Sequence, residues 1–455
     1  MTEVIARTGM TSVLVELAEF SEALTFEDLP EAVAEYSKLI LYHNLVVALG
    51  RRGVPVIGQD RTVWPVGAPS RETATRLTDG LRGPSERTIF TNSLAMGAMA
   101  QHDEYPRTFS HFGSTVIPPL LAVADQIPLD GRTFLTAMVA GYEVGAAIGS
   151  VSVAETNRRG FRPTGLYGPF AAAGATAKAF KGDPAEIANA LAIAASSSAG
   201  ITQMWLRGTD EWLYQTAAAA RNGFLAARLA GSGARGAPDA LEGQAGFYRA
   251  FAGDDIDSGR ALDGLGSSWA IAEVLLKPYP VCAMNQAPVQ LAVELRQRHE
   301  IDIQEIENLT IVMHPSDLAY FGVDLAGTPP TSTAAMMSAR FCVGVALVYG
   351  TVDIAHLARL HDEEVRSVAA RITLEADPSL SSGHHAEIHI SLRDGTTLSS
   401  GEARGVRYDR TTARALAERL RPASGLSLTA ASALEHFVFN IEDCDDVSEL
   451  FRLIA

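Results

Sequence analysis

Removing a proton from carbon next to a carboxylate needs a base within hydrogen-bond reach and cations for the negative charge that develops. Residues 101–111 gather groups of the right types: Gln101-His102-Asp103-Glu104-Tyr105, then His111. His111 is the leading acid–base candidate, because imidazole titrates near neutral pH. The plainer alternative is a histidine that only orients the loop before a helix starting at Ser114. Tyr105 can donate a proton or simply pack, Asp103 can assist, and Gln101 can hydrogen-bond but not exchange a proton. Lys277 stands beside Pro278 and Pro280, which restrict its backbone. It either offers positive charge to a carboxylate or lies solvated on the surface. Arg162 is a further cation; a guanidinium is no base near neutrality, but it clamps carboxylates through two parallel hydrogen bonds.

Metal binding is the competing use of such side chains. His102, Asp103, Glu104 and His111 are close in sequence, as are His384, His385 and His389. Neither set has a standard ligand spacing, so no metal is expected. Cys282, Cys342 and Cys444 are widely separated and suggest neither a disulfide framework nor a zinc site. A reducing cytoplasm is the simplest setting.

The elements that must position these groups are those of a folded globular chain. At 455 residues there is room for two domains, or for one large core with an insertion. Hydrophobic residues make up 47% and charged residues 20%, an ordinary soluble composition. A net charge of −16 argues against a nucleic-acid partner, though an acidic protein can still hold a locally basic pocket. Met1 to Glu19 shows no basic region followed by an apolar stretch, so no secretory signal is expected. Apolar runs such as Leu39–Leu49 are broken by Tyr42, His43 and Asn44 and are too short to span a bilayer, so no membrane partner is expected.

The first 275 residues read almost entirely as helix. Asp28-Leu29-Pro30 supplies a start signal for Leu29–Gly50. Gly141, Gly145 and Gly149 clear one face of a helix over Phe134–Ser150, and Ala171–Ala179 and Ile187–Ala199 are similarly small-sided. After Lys277 the character changes. Asn308–His314 and Val368–Ala376 read as strands, and Met336–Tyr349 and Val352–Leu360 as helices. Ala386–Arg393 and Thr396–Ser400 read as a hairpin around Asp394-Gly395. From Asp409 the pattern returns to helix. The expected fold is mainly α: a helical domain over 1–276, a smaller α+β lid over 277–405, and a C-terminal helical return over 406–455.

Several ordered segments resemble the MmgE/PrpD family, which includes methylcitrate dehydratase, cis-aconitate decarboxylase and iminodisuccinate epimerase. They are Asn92–Ala95 through His111-Phe112-Gly113-Ser114, Gly141-Tyr142-Glu143-Val144, Gly160-Phe161-Arg162-Pro163-Thr164-Gly165, Leu241-Glu242-Gly243, Lys277-Pro278-Tyr279-Pro280-Val281-Cys282 and Ser338–Leu347. The set covers nearly the whole chain and is specific for family and fold, not for substrate. The resemblance implies a homodimer, a cleft between a helical and an α+β domain, a carboxylate-bearing substrate, and no metal or organic cofactor.

The chain departs from that pattern where the family keeps its acid–base groups. Gln101 stands at an aspartate position, Tyr105 at a threonine, Arg162 at a histidine, Trp212 at a lysine and Phe341 at a tyrosine. Asp103 and Glu104 match acidic positions, and His111 and Lys277 match in kind. Trp212 removes a cation and fills volume, which suggests a smaller or less charged substrate than a tricarboxylate; ordinary core packing is the alternative. The expected catalytic set is therefore His111, Tyr105, Asp103 and Lys277, with Arg162, Gln101, Trp212 and Tyr279 contacting a small organic acid. The expected activity is a cofactor-independent lyase of the dehydratase type. An epimerase, or a non-catalytic ligand-binding member of the family, is the alternative.

Overall fold

The computed structural model describes residues 12–51, 73–253, 256–381, 385–401 and 408–454. Proline at position 30 precedes a helix over Glu31–Leu49, whose second half is buried throughout, including His43 and Asn44. The glycine stripe read from the sequence lies on the Gly131–Ser150 helix, capped by Asp130, which accepts from the Thr133 amide. A Cβ at Gly141 would lie 2.7 Å from the Ala171 carbonyl oxygen, and one at Gly145 would lie 2.5 Å from the Phe112 ring. Both are closer than van der Waals contact permits, so hydrogen at these positions lets the Pro163–Ala179 helix pack tightly and seats the ring that follows His111. The Glu211–Gly231 helix closes on Pro163–Ala179 in the same way, with Gly223 against Ala172.

Two apolar cores result. One joins the helices of the N-terminal part to Ala413, Leu416, Leu434 and Val438 from the C-terminal helices Arg410–Ser424 and Leu428–Phe439. The other surrounds the Ala283–Arg298 and Ala339–Tyr349 helices and a four-stranded sheet, and reaches back to Met204, Trp212 and Leu213. Residues of the site lie where these cores meet. The fold is mainly helical with a smaller α+β part, and among the described residues no helix is long and apolar enough to cross a membrane.

A short hairpin, β1 (Thr73–Thr75) with β2 (Arg82–Pro84), interrupts the otherwise helical N-terminal part and was not expected. The larger sheet contains β3 (Ile306–Met313), β4 (Ile372–Ala376), β5 (Ala386–Leu392) and β6 (Thr397–Ser399), in the order β4-β3-β5-β6. β3 runs parallel to β4 and antiparallel to β5, with Thr310 opposite His389. The β5–β6 turn forms at Asp394-Gly395, where Gly395 takes φ 87° and Asp394 accepts from the Thr396 amide at 2.8 Å.

Element boundaries moved where capping outweighed periodicity. The strand expected over Val368–Ala376 begins only at Ile372, because a helix capped by Asp362 runs over Glu363–Ala369. The helix expected over Met336–Tyr349 breaks at Ser338, whose hydroxyl caps a fresh helix. The one expected over Ile187–Ala199 ends at Ala195, and that over Val352–Leu360 shrinks to a turn at Ile354–Leu357.

Candidate active site

Two backbone segments build the site. Glu104 and Leu275 exchange amide–carbonyl hydrogen bonds at 2.8 and 2.7 Å, which aligns residues 101–105 with 275–278. The Gln101 side-chain amide donates to the Pro278 carbonyl at 2.9 Å and fixes the register. Behind them His43 is bonded at both nitrogens, to the Gln101 carbonyl at 2.5 Å and to the Tyr408 hydroxyl at 2.6 Å. Since a carbonyl only accepts, His43 Nε2 carries the hydrogen; burial lowers its pKa to about 4, so it braces the segment as a neutral ring. This register sets Lys277 Nζ 3.4 Å from Glu104 Oε2.

His111 sits across from that ion pair. Its amide donates to Thr164 Oγ1 at 3.2 Å, and its carbonyl accepts from Ser114 Oγ at 2.9 Å. Its Nδ1 is 2.8 Å from the Asp103 carbonyl oxygen, so Nδ1 bears the hydrogen and Nε2 carries the lone pair. Burial first, and then the Lys277 charge, hold this imidazole well below its ordinary pKa, with Glu104 pulling the other way. It is therefore a neutral base at neutral pH. Ala100 and Phe109, which also border the site, have φ of 53° and 54°, a left-handed conformation costly for residues with a Cβ.

His102 adds a second ring. Its centroid is 3.9 Å from that of His111 and nearly perpendicular to it, and its other side stacks on Trp212 at 6.1 Å. It is buried, and neither ring nitrogen has a hydrogen-bond partner. Burial, reinforced by His111 and Lys277, keeps it neutral as well. His102, Glu104, His111 and Lys277 share a cavity of about 40 Å³ with Trp205, Trp212, Tyr320 and several methionines.

Of the residues expected from sequence, His111, Lys277 and Trp212 line this cavity. Arg162 lies behind it: Nη1 donates to the Trp212 carbonyl, the guanidinium is 5.8 Å from the Trp205 ring, and Nη2 has no partner. Burial lowers its pKa to about 10, still far above neutrality. The remaining expected residues do not line the cavity. Asp103 accepts from the Gly113 amide at 3.1 Å with both oxygens and from the Tyr142 hydroxyl at 2.8 Å, and so caps the Gly113–Ala124 helix. Burial raises its pKa to about 6. Tyr105 packs on Phe112, its hydroxyl pushed up to about 12 by burial. Gln101 is spent on the Pro278 carbonyl, Tyr279 is held through its backbone by Gln286, and Phe341 is buried in the second core.

His102 entered the sequence reading only as a possible ligand, and Trp205 and Tyr320 not at all. No local signal marks the last two, which reach the site from distant segments. Among the described residues no three His, Cys, Asp or Glu side chains gather as a metal-binding group; His384 lies outside those residues.

A helical body and an α+β part that meet at a buried His–Glu–Lys cluster define a particular class of protein. Residues 15–258 match the MmgE/PrpD N-terminal domain and residues 279–418 the MmgE/PrpD C-terminal domain, and the chain belongs to this family. Among its relatives, cis-aconitate decarboxylase of Aspergillus terreus is 24% identical, over 99% of this chain and 96% of its own. The cis-aconitate decarboxylase-like protein oryM of Aspergillus oryzae is 25% identical over 98% and 97%. Human cis-aconitate decarboxylase is 26% identical over 82% and 80%.

Proposed function

We propose that this chain is a lyase that acts without a cofactor, by proton transfer next to the carboxylate of a small organic acid. The observation that carries the reading is His111, its Nδ1 held by the Asp103 carbonyl and its Nε2 lone pair left for chemistry, in a cavity that also holds Lys277. Lys277 receives the substrate carboxylate and stabilises the enolate that forms as His111 takes the proton. The proton taken by His111 is relayed through the ring of His102 beside it, whose nitrogens are free, to the departing hydroxyl, which leaves as water. Two proton-transfer groups in one cavity favour an enzyme over a family member that only binds. The protein would work in a reducing cytoplasm, as its separated cysteines suggest, and as a homodimer, as the family resemblance suggests.

Decarboxylation is the second reading. The curated relatives bear that name, and the Trp205–Trp212 wall would strip water from a carboxylate placed against it. A panel of small hydroxy and unsaturated acids, incubated with the enzyme in deuterated water, tests both. Elimination gives the unsaturated acid, and reversal of the proton removal leaves deuterium next to the carboxylate of recovered substrate; decarboxylation releases carbon dioxide and leaves deuterium on the carbon that bore it. Neither product from any acid would remove the lyase reading.

A further inference from the structure

We infer that the substrate carries a single carboxylate on an apolar body, with the acid in the inner cavity and the body in an adjoining pocket. This rests on the lyase reading of the same site and names its substrate class. The first argument is charge. Lys277 is already opposed by Glu104 at 3.4 Å, and Arg162 behind the tryptophans presents one unpartnered nitrogen. A tricarboxylate would bring more negative charge than these cations can match, and an unmatched buried charge is strongly unfavourable.

The second argument is space. The inner cavity, about 40 Å³, holds little more than a carboxylate and its neighbouring carbon. Trp205, Tyr320 and Met337 form its wall toward an outer pocket of about 350 Å³, which they also line. The outer pocket is completed by Leu206, Phe321, Leu325 and Pro330. Leu206 is 57% exposed and Phe321 39%, so this pocket offers open apolar surface to the body of a ligand. The charged members of that pocket, Arg207 and Asp324, are opposite in sign, and Asp324 is paired with Arg340, so a second carboxylate finds no net positive field there. The two spaces adjoin across these shared walls, so the body of an acid whose carboxylate reaches Lys277 would lie against aromatic and thioether side chains.

Calorimetric titration of the full chain with acetate, phenylacetate, citrate and cis-aconitate tests this. Phenylacetate is expected to bind at least about tenfold tighter than acetate, and the tricarboxylates more weakly than either. Leu206→Asp, at an exposed position, is expected to weaken phenylacetate by about tenfold and leave acetate unchanged. Lys277→Met is expected to weaken both. Citrate or cis-aconitate binding as tightly as phenylacetate overturns the inference, as does phenylacetate no better than acetate, or a Leu206→Asp effect equal on both. Because binding is read without turnover, an apolar monoacid bearing a β-hydroxyl that binds as phenylacetate does but is neither dehydrated nor decarboxylated counts against the lyase reading alone. Turnover of a tricarboxylate would keep that reading and sink this one.

Discussion

Lys277 and Glu104 form an ion pair, Nζ to Oε2 at 3.4 Å, in which each side chain is only 4% exposed. Buried so deeply, the pair has lost most of its hydration, and its members depend on each other. Removing one partner strands the other charge, which is far more damaging than replacing both. Glu104→Gln is expected to lower unfolding free energy by about 3–5 kcal/mol. The double variant Glu104→Gln/Lys277→Met is expected to recover much of that loss. Urea titrations of the parent, both single variants and the double variant give the coupling directly; a coupling near zero would mean that the pair is not one unit.

A pH dependence follows from the cause of the His111 shift. Burial and the neighbouring cations Lys277 and Arg162 disfavour the imidazolium, with Glu104 as the opposing charge and His102 against the ring. A base with a lowered pKa keeps its lone pair to lower pH, so the active form persists on acidification through 6.5 and is lost only well below it. Histidine ring signals followed by NMR check this without any substrate. His111 half-protonated at or above pH 6.5 would contradict the described surroundings.

Asp103 is expected to support the site rather than to move protons. Its carboxylate accepts from the Gly113 amide and the Tyr142 hydroxyl, and a Cβ at Gly113 would lie 2.4 Å from Asp103 Oδ1. Asp103→Asn keeps the shape but presents an N–H where an acceptor is needed. It is expected to cost about 1–3 kcal/mol in stability. Whatever turnover survives should keep the parent's pH profile, measured on the remaining folded protein. A profile whose acid limb disappears would instead assign Asp103 a proton-transfer role.

The helical frame was legible because its signals are local: the proline before Glu31, the four-residue glycine spacing, and the Asp394-Gly395 turn. Boundaries near 338 and 368 were not, since a serine or aspartate cap decides them and periodicity does not register it. At the site, His111 and Lys277 could be read from residue type and motif. The parts of Asp103, Tyr105 and Gln101 could not, because a carboxylate aimed at a helix start looks in sequence like one aimed at a substrate. His102 went unassigned because nothing local reveals that its ring nitrogens meet no partner. Trp205 and Tyr320 join the cavity only through packing of segments far apart in the chain.

The homodimer suggested by family resemblance is checked by light scattering at micromolar concentration. A mass of twice 48.4 kDa is expected. A monomer at that concentration would remove the dimer from the proposal without touching the chemistry of the cavity.

The central claim is that His111 Nε2 takes the proton. The most direct measurement is turnover, or deuterium exchange next to the carboxylate, by His111→Gln, with binding of the same acid measured in parallel. Glutamine can keep the hydrogen bond to the Asp103 carbonyl but cannot accept a proton, so kcat is expected to fall by about 10²–10⁴-fold while binding changes little. A melting curve close to the parent's would show that the variant is folded. A folded His111→Gln protein with the parent's turnover and exchange rates would contradict the claim.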